Sequence, residues 1–118
     1  MDEISRFESV RSWILQLPGV SESPHRFGGR EFQIEGIEFM HSHGPSWLDI
    51  RLSKSDQASV LKSKEAHPRP FAPQAGWVSL QIDNPTELAT VKKVIQLAYQ
   101  NAKSSLEDVK TRRPQKSH

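Results

Sequence analysis

Cysteine is absent from the 118 residues. That removes disulfide scaffolds, zinc ribbons and thiol nucleophiles from consideration. No apolar run approaches the ~18 residues that a membrane-spanning helix needs. A strong charge of either sign is also missing, because 16 Lys and Arg face 14 Asp and Glu. Aromatic residues are few, at 8% of the chain, and all apolar residues together reach only 35%. That supports one modest core, and the length suits one domain. Met1 is followed by Asp2 and Glu3, which does not read as a secretory signal. The cytoplasm is the expected address.

The small positive excess is unevenly placed. Residues 103–118 carry Lys103, Lys110, Arg112, Arg113 and Lys116 against Glu107 and Asp108, a net +3, which leaves −1 for residues 1–102. The expected organisation is a single domain over residues 1–103 and a basic, solvated, flexible tail over 104–118. Nucleic acid is not expected on the folded body. Weak DNA binding through the tail is a minor alternative.

Hydrophobic periodicity organises the body. Ile4, Phe7, Val10, Ile14 and Leu17 recur at helical spacing, which predicts a helix over 3–17, stopped by Pro18-Gly19. The period then changes to two. Phe32 and Ile34 alternate with Glu31, Gln33 and Glu35, and Ile37 and Phe39 flank Glu38. Leu48, Ile50 and Leu52 alternate with Trp47, Asp49 and Arg51. These segments predict an antiparallel meander turning at Gly28-Gly29, Gly36 and Gly44-Pro45. A short helix is predicted over 54–66, anchored by Val60 and Leu61. Residues 67–76 hold three of the eight prolines and cannot be helical. A strand over 77–82 follows, with Trp77, Ser79 and Gln81 alternating with Val78, Leu80 and Ile82. Asn84-Pro85-Thr86-Glu87 reads as a capping box opening a last helix that runs to about residue 103. The fold class is α+β: an antiparallel sheet of about four to six strands, with the N- and C-terminal helices packed on one face.

Histidine carries the candidate chemistry. His41 and His43 form a His-x-His on a strand, so both rings point to one face. That spacing suits two ligands on one metal, or a ligand and a proton shuttle. Asp49 lies on the facing strand, and His67 opens the Pro-rich loop. Without cysteine, any divalent metal would need N/O ligands, and His41, His43 and His67 are the candidates. The competing reading is structural. His41 and His43 share parity with Ile37 and Phe39, the apolar face, unless a bulge intervenes. A cupin pattern fails, because Trp47 and Leu48 stand where a glutamate is needed. Gly28-Gly29, flanked by Arg26 and Arg30, could approach an anion, but it lacks the Gly-Lys-Ser/Thr ending of a P-loop and fits a hairpin turn better. Trp47 and Trp77 fall on the polar parity of their strands. They either stack a planar ligand or are covered by neighbouring chain.

Several motifs recur in a recognisable order: His25-Arg26-Phe27-Gly28-Gly29-Arg30-Glu31-Phe32, Gly36-x-Glu38, His41-Ser42-His43-Gly44, Leu48-Asp49-Ile50, Ala66-His67 and Gly76-Trp77-Val78-Ser79. Together they resemble the luciferase-domain family of small bacterial and fungal proteins, from about residue 15 to residue 102. The family name is not an activity, and the resemblance implies no particular substrate, cofactor or mechanism. It does imply that His25, Arg26, Arg30, Glu31, His41, His43, Asp49, His67 and Trp77 are signature positions. The family often has glycine before His41, where this chain has Met40. The element order also resembles that of YjbR-like proteins, an analogy of fold only.

The resulting expectation is a small ligand- or partner-binding domain, with those nine residues lining a site for a polar or anionic small molecule. The alternative is a metal-dependent enzyme using His41, His43 and His67, with Asp49 or Glu31 as base. The Pro-rich loop, stiffened by Pro68, Pro70 and Pro73, is expected to fold over the sheet face beside Trp47 or Trp77.

Overall fold

Alternating apolar residues demand a sheet with one buried face, and the structure supplies it. A computed structural model describes residues 3–24, 29–44, 46–68, 76–82 and 88–116. The order is α1 (Glu3–Leu15), β1 (Val20–Pro24), β2 (Arg30–Ile34), β3 (Ile37–His43), β4 (Trp47–Arg51), α2 (Lys54–Lys62), β5 (His67–Pro68), β6 (Trp77–Gln81) and α3 (Leu88–Lys116). All six strands join one antiparallel sheet in the order β1-β2-β3-β4-β6-β5. The fold is α+β, as the periodicity implies.

Helix α3 crosses β2, β3 and β4, and α1 packs on α3 and β1. Between helices and sheet lie Val10, Ile14, Phe32, Phe39, Met40, Leu48, Ile50, Leu80, Val94 and Ile95, all shielded from solvent. Ile4, placed on the apolar stripe by spacing, is instead exposed, because the stripe begins to meet the core only at Phe7. Tyr99 of α3 donates its hydroxyl to the Pro18 carbonyl at 2.7 Å and ties the α1–β1 corner to the core. Among the described residues no helix is long and apolar enough to cross a membrane.

Two segments depart from expectation. Helix α3 continues to Lys116, past the predicted end near 103, since no Gly or Pro interrupts residues 88–113 and most are good helix formers. Residues 67–68, expected as loop, form the edge strand β5 against β6. Proline is tolerated there because an edge strand leaves one side unpaired. The capping box at 84–87 lies outside the described residues.

The β2–β3 connection sets the phase of everything after it. Glu35 and Gly36 both have positive φ, 46° and 87°, as a two-residue type I′-like hairpin requires. One step later the register shifts. Phe32 pairs with Met40 but Gln33 pairs with Glu38, which leaves Phe39 as an extra residue on β3. This bulge lets Phe39 and Met40 both enter the core. It also turns His41 and His43 away from that core, onto the same face as Glu38.

Beyond β4, Ser53 caps α2 by accepting the Asp56 N–H at 3.1 Å. The helix ends at Lys62 rather than 66, and Lys64 takes positive φ in the following turn. From α2, the Gln57 amide grips the start of β6. Its Oε1 accepts from Gly76 N–H at 3.0 Å and its Nε2–H donates to the Trp77 carbonyl at 3.1 Å. Gly76 has φ +94°, and a Cβ there would sit 2.4 Å from the Leu52 carbonyl oxygen. Only glycine lets the chain pass this point, and the passage fixes where Trp77 and Ser79 fall.

Candidate functional site

The strand registers align one polar row across the whole sheet. Ser23 of β1 faces Glu31 of β2, Glu31 faces His41 of β3, and His41 faces Asp49 of β4. Asp49 faces Ser79 of β6, and Ser79 faces His67 of β5. Directly opposed residues share a face, so all six side chains lie on the side away from the core helices. A second row, His43-Trp47-Gln81, runs beside it.

Asp49 is the centre of this face. It is only 3% exposed, yet its carboxylate is fully engaged. Oδ1 accepts from Ser79 Oγ–H at 2.7 Å and from Trp47 Nε1–H at 3.0 Å. Oδ2 accepts from the Nε2 atoms of His41 at 3.1 Å and His43 at 2.9 Å. Burial alone pushes the Asp49 carboxyl pKa up. The hydrogen bonds from His41, Ser79, Trp47 and His43 outweigh it and hold the group far below the usual carboxylate range.

His41 is equally enclosed, at 4% exposure. Its Nδ1 lies 3.3 Å from Glu38 Oε2, so carboxylates face both ring nitrogens. Burial pulls its pKa down, but the bonds to Asp49 and Glu38 raise it on balance to about 9. Carboxylates on both ring nitrogens favour the protonated form of the ring. The His41 ring centroid is 5.2 Å from that of the buried Trp77 and 4.9 Å from that of His43. His43 is the open member, with its side chain 42% exposed. Among the described residues no buried side-chain N or O lacks a hydrogen-bond partner.

Next to Asp49 lies a cavity of about 330 Å³ lined by Trp47, His67, Pro68, Ser79, Leu80 and Gln81. It is at the small end of the range for ligand pockets.

Of the nine residues expected at the site, His41, His43, Asp49, His67, Trp77 and Glu31 share this face. Glu31 lies opposite His41 and accepts from the Gln33 amide. Arg30 does not join them. It has the inward parity of Phe32, and its guanidinium meets Glu22 at 3.2 Å beside Arg11. His25 and Arg26 lie outside the described residues, as does most of the Pro-rich loop.

The metal candidates also change. The ligand atoms that converge, all within 4.8 Å of one another, belong to His41, His43 and Asp49. These three could hold a metal ion. His67 is not in that group, because β6 and Ser79 separate it from Asp49. It lines the cavity instead. Glu38, Trp47 and Ser79 were not among the nine, although each makes a bond that orients the group. Glu38 and Ser79 stand in the Gly36-x-Glu38 and Gly76-Trp77-Val78-Ser79 motifs, and Trp47 has the parity of Asp49. Those were the available signals.

A family model described as Luciferase domain matches residues 36–98, just over half of the chain. The match runs from the β2–β3 hairpin into α3 and contains His41, His43, Asp49, His67, Trp77 and Ser79. No curated protein matches the chain.

Proposed function

The chain belongs to the Luciferase domain family, and on that premise we propose that it is a small ligand-binding domain whose site is the sheet face opposite the core helices. The observation that carries this reading is the cavity beside Asp49, with Trp47 on one side and His67 and Gln81 offering hydrogen bonds. The buried network supports it. Asp49, held by four donors, fixes the Trp47 indole through Nε1 and so presents that ring in one orientation. A preset aromatic wall with a few polar groups suits a planar, polar or anionic small molecule. Rigid strands carry the lining residues, which limits the ordering cost of binding.

The test is an ¹⁵N-correlated NMR titration of the full chain with benzoate and benzamide, a matched planar anion and planar neutral probe. The expected shifts are at the Trp47 indole, Gln81 and His67, and Trp47→Ala should weaken binding about tenfold or more. Shifts confined to other surfaces, or unchanged affinity in Trp47→Ala, overturn the reading.

A metal-dependent enzyme is the second reading. It is favoured by one observation, the convergence of two imidazoles and a carboxylate. Turnover of a bound molecule that disappears on chelation separates it from simple binding.

A further inference from the structure

We propose that His41 Nε2, His43 Nε2 and Asp49 Oδ2 form a mononuclear site for a divalent first-row transition metal of the zinc and iron type. The proposal is independent of the cavity reading above and stands on the geometry of the three side chains.

The first argument is convergence. In the metal-free protein both Nε2–H groups donate to one carboxylate oxygen, at 3.1 and 2.9 Å. The ion takes the place of those two protons, which are released on binding. An ion bonded to each ligand at about 2.0–2.2 Å holds neighbouring ligand atoms roughly 3–3.5 Å apart. The two Nε2–Oδ2 separations already match that spacing, and the two Nε2 atoms lie within 4.8 Å of each other. Two of the three ligand atoms come from one strand at i, i+2 and the third from the adjacent strand, so the backbone already fixes their spacing.

The second argument is what holds the ligands from behind. The oxygen of Asp49 that does not face the histidines takes two donors, Ser79 Oγ–H and Trp47 Nε1–H. Those two bonds prevent rotation of the carboxylate and keep Oδ2 turned toward the two histidines. The far nitrogen of His41 faces Glu38 Oε2. A carboxylate on the distal nitrogen of a ligating imidazole sets its tautomer and raises its basicity.

Ligand chemistry selects the ion. Two imidazoles and one carboxylate, with no thiolate in the chain, favour zinc, iron, manganese or cobalt over the hard, oxygen-preferring calcium and magnesium. Three protein ligands leave at least one coordination position for water or a substrate atom. His43, at 42% side-chain exposure, provides the path by which the ion enters from solvent.

The test uses untagged full-length protein stripped with a chelator and then titrated with Zn²⁺ against a chromophoric competitor, and with Co²⁺ followed by visible absorption. The expected result is one equivalent bound with a Kd of about 1 µM or tighter, and a cobalt spectrum far more intense than that of the aquo ion. His43→Ala, at the exposed end of the group, should lower affinity by about 100-fold or more while the chelator-stripped protein stays folded, with only a small drop in its unfolding midpoint. Glu38→Gln should lower it by about 10- to 100-fold. His67→Ala should leave it unchanged. Equal affinity in His43→Ala and wild type, a loss of affinity in His67→Ala as large as in His43→Ala, or no binding by folded wild-type protein at 100 µM metal, overturns the proposal.

Discussion

Replacing Asp49 with asparagine tests the central network, because it removes one charge and half the acceptor capacity without changing size. In the metal-free protein the carboxylate accepts four hydrogen bonds, two on each oxygen. An amide keeps one oxygen, which can serve one pair of donors. Its NH₂ group then confronts the other pair. If the oxygen stays with Ser79 and Trp47, the Nε2–H of His41 loses its acceptor on a ring only 4% exposed, where water cannot replace it, although Glu38 still faces Nδ1. A hydrogen bond to a charged group is worth about 1.5–3 kcal/mol, and a buried group left unsatisfied adds to that. His43 is half open and recovers water, so its share is below about 1 kcal/mol. The expected loss is therefore about 3–4 kcal/mol. A domain of this size has net stability on the order of 10 kcal/mol, so the variant should still fold. Urea unfolding of both proteins in chelator-treated buffer gives the difference. Ser79→Ala should cost about 1–2 kcal/mol. The double variant should cost less than the sum, because both substitutions disturb the same carboxylate. A loss below about 1 kcal/mol for Asp49→Asn, or strict additivity with Ser79→Ala, would refute the network as the structure draws it.

Further outcomes follow from the scaffold. Gly76→Ala should lower stability by about 2–4 kcal/mol in thermal unfolding, since φ +94° disfavours a side chain and the new Cβ would meet the Leu52 carbonyl. Arg11 and Arg30, through the hydrogen bond from Arg11 above all, lower the Glu22 pKa from 4.5 to about 2. A depressed carboxyl stabilises the fold fully above its unfolded pKa, and that contribution is lost as pH falls from about 4.5 through about 2. Glu22→Gln should accordingly flatten the acid limb of a stability-versus-pH curve in that window, by about 1–2 kcal/mol after solvent screening of the half-exposed guanidiniums. Ser53→Ala removes the α2 N-cap and should cost about 1 kcal/mol, read by urea midpoint.

The helices, the strands of the meander and the two-layer class were legible in the sequence because each is written in a local period. Phe7, Val10 and Ile14 repeat as a helix does, and Leu48, Ile50 and Leu52 as a half-buried strand does. The pairing of His41, His43 and Asp49 on one face was also within reach, since alternation and adjacency of strands both follow from short spacings. What alternation alone left open was which face. His41 and His43 share nominal parity with Phe39, and a strict strand would bury them with it. One extra residue at Phe39 reverses that, and a bulge is defined by its partner strand, not by the bulged one. The placement of His67 and Arg30 was likewise a tertiary decision. His67 joins the sheet as an edge strand one step beyond Ser79, and Arg30 turns inward to Glu22. Glu38 and Ser79 became part of the group only when the register laid them against His41 and Asp49. Local periods determine which residues can share a face. The order and register of six strands, set by long-range pairing, determine which of them meet.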